Sequence, residues 1–352
     1  MFLPFNSRIL YLLPKAFYTR GTLLEPDYIK RLCSLKTLTA FVDELLKTEY
    51  EKYLREIDRV SGPEIVEYSL NTRLIDYELL ILKSIKGSSQ EFIKKYFARH
   101  LYNLLGYIIR LKYTRQPVTR EELAKKFDLR IEKFFEKRDI IDSLIVAKDF
   151  DESLKILKLK GYKDEVATIE KLQKLGFTGI YVVDLALDEG FYSRLLTCFE
   201  ALNRGQRLML KSIMRTFIEH YNVMLILRSI LWKLPEELIR ELLLYSGKLH
   251  SRLIIPKQKY ALTLYLNAIR DILGKDITLG TVTPEVIKEI DFTFHKQIRK
   301  NAEHLYLEKL FSIAPIYASI LLLEIEVLNL TKIAYGIWRK IEPQNIIETL
   351  IL

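Results

Sequence analysis

The sequence predicts an all-α protein, and three observations carry that prediction. Glycine is scarce, at 13 of 352 residues against a usual share of about 7%, while Leu, Ile, Lys, Glu and Arg are abundant, so turns are few and helix formers many. Helix-start signals are frequent and well spaced. Two related stretches, Glu219-His-Tyr-Asn222-Val-Met-Leu-Ile-Leu-Arg228 and Glu326-Val-Leu-Asn329-Leu-Thr-Lys-Ile-Ala-Tyr-Gly336, each place a carboxylate and a carboxamide three residues apart in an apolar run. That spacing puts both groups on one helix face.

Taken in order, the elements justify themselves locally. Met1 to Leu13 is apolar with Arg8 as its one charge, lacks a small-residue cleavage pattern after a basic start, and reads as the first helix. Ser88-Ser-Gln-Glu91 and Thr119-Arg-Glu-Glu122 both fit the capping box, in which Ser or Thr accepts from a backbone N–H and Glu reaches back. After Thr119, the residues Leu123, Phe127, Ile131 and Phe134 recur at helical spacing with Lys and Arg opposite, which predicts one amphipathic helix. Gly179-Ile-Tyr-Val-Val has strand character but passes equally well as a helix. Pro235, Pro284 and Pro343 precede acidic or amphipathic runs, as suits proline in a first helical turn.

Composition narrows the function. Apolar residues make up 49% of the chain and charged residues 28%, the balance of a globular protein with a sizeable core. The longest apolar stretch, around Ile316 to Leu323, is broken by Glu324 and Glu326 before the roughly 18 to 20 residues of a membrane span. Cys33 and Cys198 stand alone, which fits a reducing, intracellular compartment. The net charge of +10 is uneven: Lys94 to Arg138 holds 13 Lys and Arg against 5 Asp and Glu. A surface of that kind suits nucleic acid, anionic headgroups or an acidic protein.

Catalytic signatures are missing. Gly247-Lys248 and Gly274-Lys275 lack the upstream glycine and following hydroxyl of a nucleotide-binding loop. His100, His220, His250, His295 and His304 show no His-Glu-x-x-His spacing, and no Gly-x-Ser-x-Gly elbow is present. Asp139 and Asp142 make a lone Asp-x-x-Asp, poorer than a helical synthase needs. The chain is expected to be no enzyme and to carry neither cofactor nor metal.

Apolar runs divide the chain into residues 1–116, 117–244 and 245–352. The first segment closes with Tyr102-Asn103-Leu-Leu-Gly-Tyr-Ile-Ile-Arg110, the second with the Asn222 stretch and the third with the Asn329 stretch. Arg110 and Arg228 are separated about as far as the two asparagines, consistent with a small helical domain that recurs and too long for a solenoid unit.

On these residues the chain resembles the family that contains the C subunit of archaeal A-type ATPases and the d subunit of eukaryotic V-type ATPases. In that family each of three domains ends in a helix patterned as an acid, two residues, Asn, then an aliphatic stretch leading to Arg or Gly. Glu219, Asn222 and Arg228 match in the second segment, and Glu326, Asn329 and Gly336 in the third. Tyr18-Thr-Arg20-Gly-Thr-Leu-Leu24, Asp27-Tyr28 and Leu32 resemble the family's opening, and Leu46-Lys-Thr48-Glu-Tyr50 its Leu-x-x-Thr-x-Tyr. In the first segment, aligning Arg110 puts Leu104 where Asn is expected, with Asn103 one place off and no acid upstream; Thr331 stands at a place often basic, with Lys332 next.

The resemblance implies three similar all-helical domains in a pseudo-threefold, funnel-like arrangement. It implies a non-catalytic rotor adapter in the central stalk, peripheral on the cytoplasmic side of the membrane. The proteolipid ring (c/K type) and the central shaft subunits (D and F type) would be its partners, with the stator membrane subunit (a/I type) as a further one. It would couple proton or sodium flow to ATP synthesis or hydrolysis.

Within each domain, Glu219 with Asn222 and Glu326 with Asn329 are expected to be buried hydrogen-bonded pairs that fix helix packing, in preference to lining the funnel. Arg228 lies about 240° around the helix from Asn222 and pairs elsewhere or reaches a neighbouring domain. The charges from Lys94 to Arg138 read first as a solvated face. Docking on an acidic shaft, ring loops or headgroups through Arg115, Lys125, Lys126, Arg130, Lys137 and Arg138 is the alternative. Two other classes remain open. One is a basic helical nucleic-acid-binding protein, for which Tyr107, Tyr113 and Arg115 come closest to a stacking surface. The other is a metal-dependent lyase or synthase built on Asp139, Asp142 and a third acid.

Overall fold

The computed structural model describes residues 7–57, 62–246, 249, 262–273, 282–308, 310 and 312–352, and Met1 to Asn6, both Gly-Lys pairs and His250 lie outside them. Among the described residues there are 18 helices and no strand. Six are long: α5 (Pro63–Ser84), α6 (Ser88–Tyr113), α12 (Tyr181–Ala201), α13 (Arg204–Trp232), α16 (Pro284–Glu308) and α17 (Ile313–Trp338). Ahead of them run α1 (Ser7–Gly21), α2 (Pro26–Cys33), α3 (Leu38–Leu45) and α4 (Glu51–Leu54). Between α6 and α12 lie α7 (Arg120–Lys126), α8 (Arg130–Phe134), α9 (Arg138–Val146), α10 (Phe150–Leu159) and α11 (Lys163–Lys174). The remaining helices are α14 (Glu236–Leu242), α15 (Leu262–Leu273) and α18 (Pro343–Glu348).

The long helices close a ring. Extensive contacts join α6 to α12, α13 to α16, α16 to α17 and α17 to α5, and lighter ones join α12 to α13 and α5 to α6. The chain therefore returns to its beginning, and one apolar cluster is built jointly from both ends: Leu32, Phe41, Tyr50 and Leu70 pack with Leu323, Leu330, Ile337 and Leu350. A smaller cluster, including Met224, Leu227, Ile269 and Phe294, joins α13, α15 and α16.

Helix α17 explains its own place. By length and composition it could cross a membrane, contrary to the expectation from the Ile316–Leu323 run, because Glu324 and Glu326 are the acids an otherwise apolar window tolerates. However, 89% of that window is buried inside the protein. Its apolar residues point in every direction, the pattern of a helix surrounded by others, and α1, α5 and α16 cover it.

Two local expectations are corrected. Helix α6 begins after Gly87, at φ 76°, and Ser88 makes no cap: its hydroxyl donates to Gln206 across the fold. Thr119 does form the full capping box with Glu122, but the helix it starts is short. Phe127 turns extended, and Asp128 accepts from the N–H and guanidinium of Arg130 and starts α8. The predicted amphipathic helix is thus two short ones, α7 and α8, because a local Asp–Arg pair outcompetes continuation. Gly179 and Ile180 lead into α12, whose first turn holds Tyr181 to Val183, so of its two readings this segment takes the helical one.

Candidate functional site

Three helix ends repeat one device. Helices α6, α13 and α17 each finish in a non-glycine residue in the left-handed region: Arg115 (φ 55°), Lys233 (φ 55°) and Lys340 (φ 56°). In each, the next residue donates five residues back: Gln116 to Leu111, Leu234 to Ser229, Ile341 to Gly336. This is the Schellman pattern, which satisfies carbonyls left open at a helix C-terminus. A proline follows within three residues, at Pro117, Pro235 and Pro343, and then a short helix, α7, α14 or α18.

The two asparagines staple what comes after. Asn222 Nδ2 donates to Leu244 O at 2.8 Å and its Oδ1 accepts from Leu244 N at 3.0 Å. Asn329 makes the same pair with Ile351, at 2.9 Å and 2.9 Å. Both side chains are wholly buried. Each carboxamide thus satisfies an N–H and a C=O of a chain that returns over the helix outside any ladder. The caps set the register of the first copy: Leu104 stands as far before Arg115 as Asn222 does before Lys233, and it is fully buried in the main apolar cluster. Gly336 serves the same end of α17, since a Cβ there would meet Ile346 Cδ1 at 2.6 Å.

The carboxylates do not pair with the asparagines, which corrects the expected hydrogen-bonded pairs. Glu326 accepts from Tyr50 OH at 2.8 Å, from Arg73 at 3.2 Å and from the backbone N–H of Leu24. It ties α17 to three segments from the other end of the chain. Burial raises its carboxyl pKa, opposed by Arg73, Leu24 and Tyr50. Among the described residues Glu219 has Arg215 as its charged neighbour, at 4.0 Å, and burial pushes its carboxyl up to about 7. The trio of carboxylate, tyrosine and arginine recurs at Glu165 with Tyr102 and Arg194, and at Glu324 with Tyr96 and Arg99. Sequence reasoning missed these because the members are far apart in the chain.

Arg110 and Arg228 flank one helix. Arg110 lies 3.3 Å from Asp184 and Arg228 3.6 Å from Asp188, carboxylates one turn apart on α12. Arg228 therefore pairs away from the Asn222 face, as its position around the helix predicts. Tyr335, at the corresponding place on α17, donates to Glu67 of α5 at 2.8 Å.

The ring encloses a cavity of about 360 Å³ lined by all six long helices, among them Asn71, Arg99, Tyr192, His220, His295 and Thr331. Its wall mixes apolar side chains with polar groups that compensate one another. Arg99 bridges Glu78 and Glu324, and His100 bonds Glu78 at 2.9 Å. Burial works against ionisation of Glu78, but Arg99 and His100 outweigh it and hold the carboxyl below its usual range. At the α13–α16 seam, His220 Nε2 lies 2.7 Å from Asp291 Oδ1, with His295 beside them. His220 is depressed by burial. Among the described residues these three are the group of His and acidic side chains close enough to hold a metal ion.

The basic stretch is largely spoken for. Arg130 pairs with Asp128 and Asp76, Arg120 with Glu132 and Asp142, and Arg138 lies 3.7 Å from Asp142. Lys126 sits over the Tyr107 ring at 4.7 Å. Arg115 and Lys125 are exposed and Lys137 is half-buried. Tyr107 packs on Phe127, and Tyr113 packs on Phe150 and donates to Thr178 O, so neither presents a stacking face for nucleic acid. Asp139 is bonded to Lys160 at 2.6 Å and Asp142 to Arg120, not to a shared metal position.

A closed ring of long helices, two of them stapled to the chain that follows by a buried asparagine, defines an all-helical scaffold. The family described as ATP synthase (C/AC39) subunit matches residues 16–349, and the chain belongs to that family. It is 25% identical over 342 residues to the A-type ATP synthase C subunit of Thermococcus onnurineus, covering 93% of this chain and 85% of that protein. The likeness to the corresponding A-type ATP synthase protein of a Desulfurococcus species is 25% over 344 residues, with 93% and 86% covered. With that of Pyrococcus horikoshii it is 26% over 233 residues, 64% of this chain and 58% of the relative's length.

Proposed function

We propose that this chain is the rotor adapter of an A/V-type rotary ATPase, joining the proteolipid ring to the D- and F-type shaft subunits and carrying no catalytic site of its own. The observation that carries the proposal is the central cavity, lined by all six long helices in a member of the ATP synthase (C/AC39) subunit family. A socket that receives a shaft end needs walls that do not yield, and the buried trios and the Asn222 and Asn329 staples supply rigidity where torque passes. The thrice-repeated helix end supports a reading of three similar units, 1–116, 117–244 and 245–352, in a pseudo-threefold, funnel-like arrangement. The complex would hold the chain peripherally on the cytoplasmic face, where the a/I-type stator subunit is a further neighbour. Coupling of proton or sodium flow to ATP synthesis or hydrolysis would pass through it mechanically.

The test is co-purification of the chain with detergent-solubilised ring and with the shaft complex. Both are expected to be retained in fixed proportion. The reversal Lys125→Glu should weaken retention while moving unfolding free energy by no more than about 0.5 kcal/mol, as for an exposed position. Retention of neither partner, from cells that contain the intact ATPase, would overturn the proposal.

A further inference from the structure

The wall between the central cavity and a smaller neighbour of about 100 Å³ carries two histidines and an aspartate in one group. His220 lines both cavities, His295 the larger and Asp291 the smaller. Asp291 and His295 are one turn apart on α16, and His220 reaches them from α13. One ligand atom from each lies within 4.8 Å of the others.

We propose that His220, Asp291 and His295 bind a transition-metal ion of the zinc class, clamping α13 to α16 with one coordination position open toward the central cavity. Two imidazoles and a carboxylate are the ligand set such ions take when a fourth position is left for water or a partner's side chain. Zinc bonds of about 2.0–2.1 Å in a tetrahedron put ligand atoms about 3.3 Å apart. His220 and Asp291, at 2.7 Å, are near that already, and a rotation of the His295 ring, with 30% of its side chain exposed, completes the set.

The rings are held for the task. His220 stacks on Phe294 at 5.0 Å and meets His295 edge-on at 5.4 Å. Without the ion His220 Nε2 donates to the Asp291 carboxylate; on metal entry that proton leaves Nε2 and Nδ1 takes one up from solvent, so the imidazole stays neutral, no net proton is released and the Nε2 lone pair turns to the ion. Arg228 and Lys332 stand near Asp291. Their charge opposes any cation, and it selects against Ca²⁺ and Mg²⁺, which bind through oxygen and charge alone, in favour of ions that gain from imidazole donation. The clamp would sit beside the smallest of the described apolar clusters, the one joining α13, α15 and α16. This inference does not rest on the adapter reading.

The full chain, stripped with a chelator, is titrated with Zn²⁺ by calorimetry and with Co²⁺ by visible absorption. One saturable site and the strong d–d bands of four-coordinate cobalt with nitrogen and oxygen ligands are expected. Both should disappear in the triple variant His220→Gln, Asp291→Asn, His295→Gln with far-ultraviolet circular dichroism unchanged. Should that variant lose helicity, His295→Gln alone decides, with affinity lowered by at least about tenfold expected. No saturable binding at a hundredfold excess of Zn²⁺, or unchanged binding in the substituted chain, would overturn the proposal.

Discussion

The helix ends after α6 and after α17 share a backbone device and differ in the side chain buried at the depth of Asn329. Both finish in a left-handed basic residue, Arg115 or Lys340, followed by a proline and a short helix. Yet at the corresponding depth α17 carries Asn329, bonded twice to Ile351, and α6 carries Leu104, buried among apolar neighbours. The cap is a backbone device and survives changes of side chain. The amide is needed only where a returning chain presents both an N–H and a C=O to the interior, since a buried pair replaced by apolar groups on both sides is close to neutral, whereas half a pair is costly.

The largest break in this comparison comes from Glu326, the acid one turn before the amide. Glu326→Leu leaves the Arg73 guanidinium, with 8% of its side chain exposed, without its carboxylate, and removes acceptors from Tyr50 and Leu24. An uncompensated buried charge costs about 3–5 kcal/mol. Urea unfolding should show that loss, while Glu219→Leu, which strips no buried partner, should not destabilise. A loss below about 1 kcal/mol at Glu326 would mean that the joint between the two chain ends is held by apolar packing alone.

A smaller effect tests the amide itself. Asn329→Leu strands the N–H and C=O of Ile351, and about 2–3 kcal/mol should be lost. The reverse change, Leu104→Asn, buries a carboxamide in an apolar cluster and should cost a similar amount. If both are neutral by thermal and urea unfolding, the difference between the two helix ends is incidental.

Much of this was legible in the sequence, for reasons that are local. Scarce glycine and periodic apolar residues give the helical class, and Glu-x-x-Asn marks the two stapled helices because the burden of a buried amide shows in its apolar surroundings. What the sequence hid is of two kinds. Partners set by topology leave no local trace: Glu326 finds Tyr50 and Arg73, and His220 finds Asp291, only once the ring has closed. Local competition hid the rest. Asp128 pairs with Arg130 and stops a helix that the spacing of Leu123, Phe127 and Ile131 would continue, and left-handed caps at Arg115, Lys233 and Lys340 sit where glycine is the usual signal.

The finest test separates the two acids by pH. Glu219, with 14% of its side chain exposed and Arg215 at 4.0 Å, has its carboxyl pushed up to about 7 by burial, against about 4.3 in an unfolded chain. Between those values the folded state holds more protons than the unfolded one, so stability falls as pH rises from about 4.5 to about 7 and the contribution is lost above that. Glu219→Gln removes the titration. At pH 5 the variant should match the parent, and at pH 8 it should be more stable by about 1–3 kcal/mol, read from urea midpoints across the range. Parallel curves would mean that a partner offsets the burial of Glu219 in full, and the contrast between the second and third helix ends would then reduce to geometry.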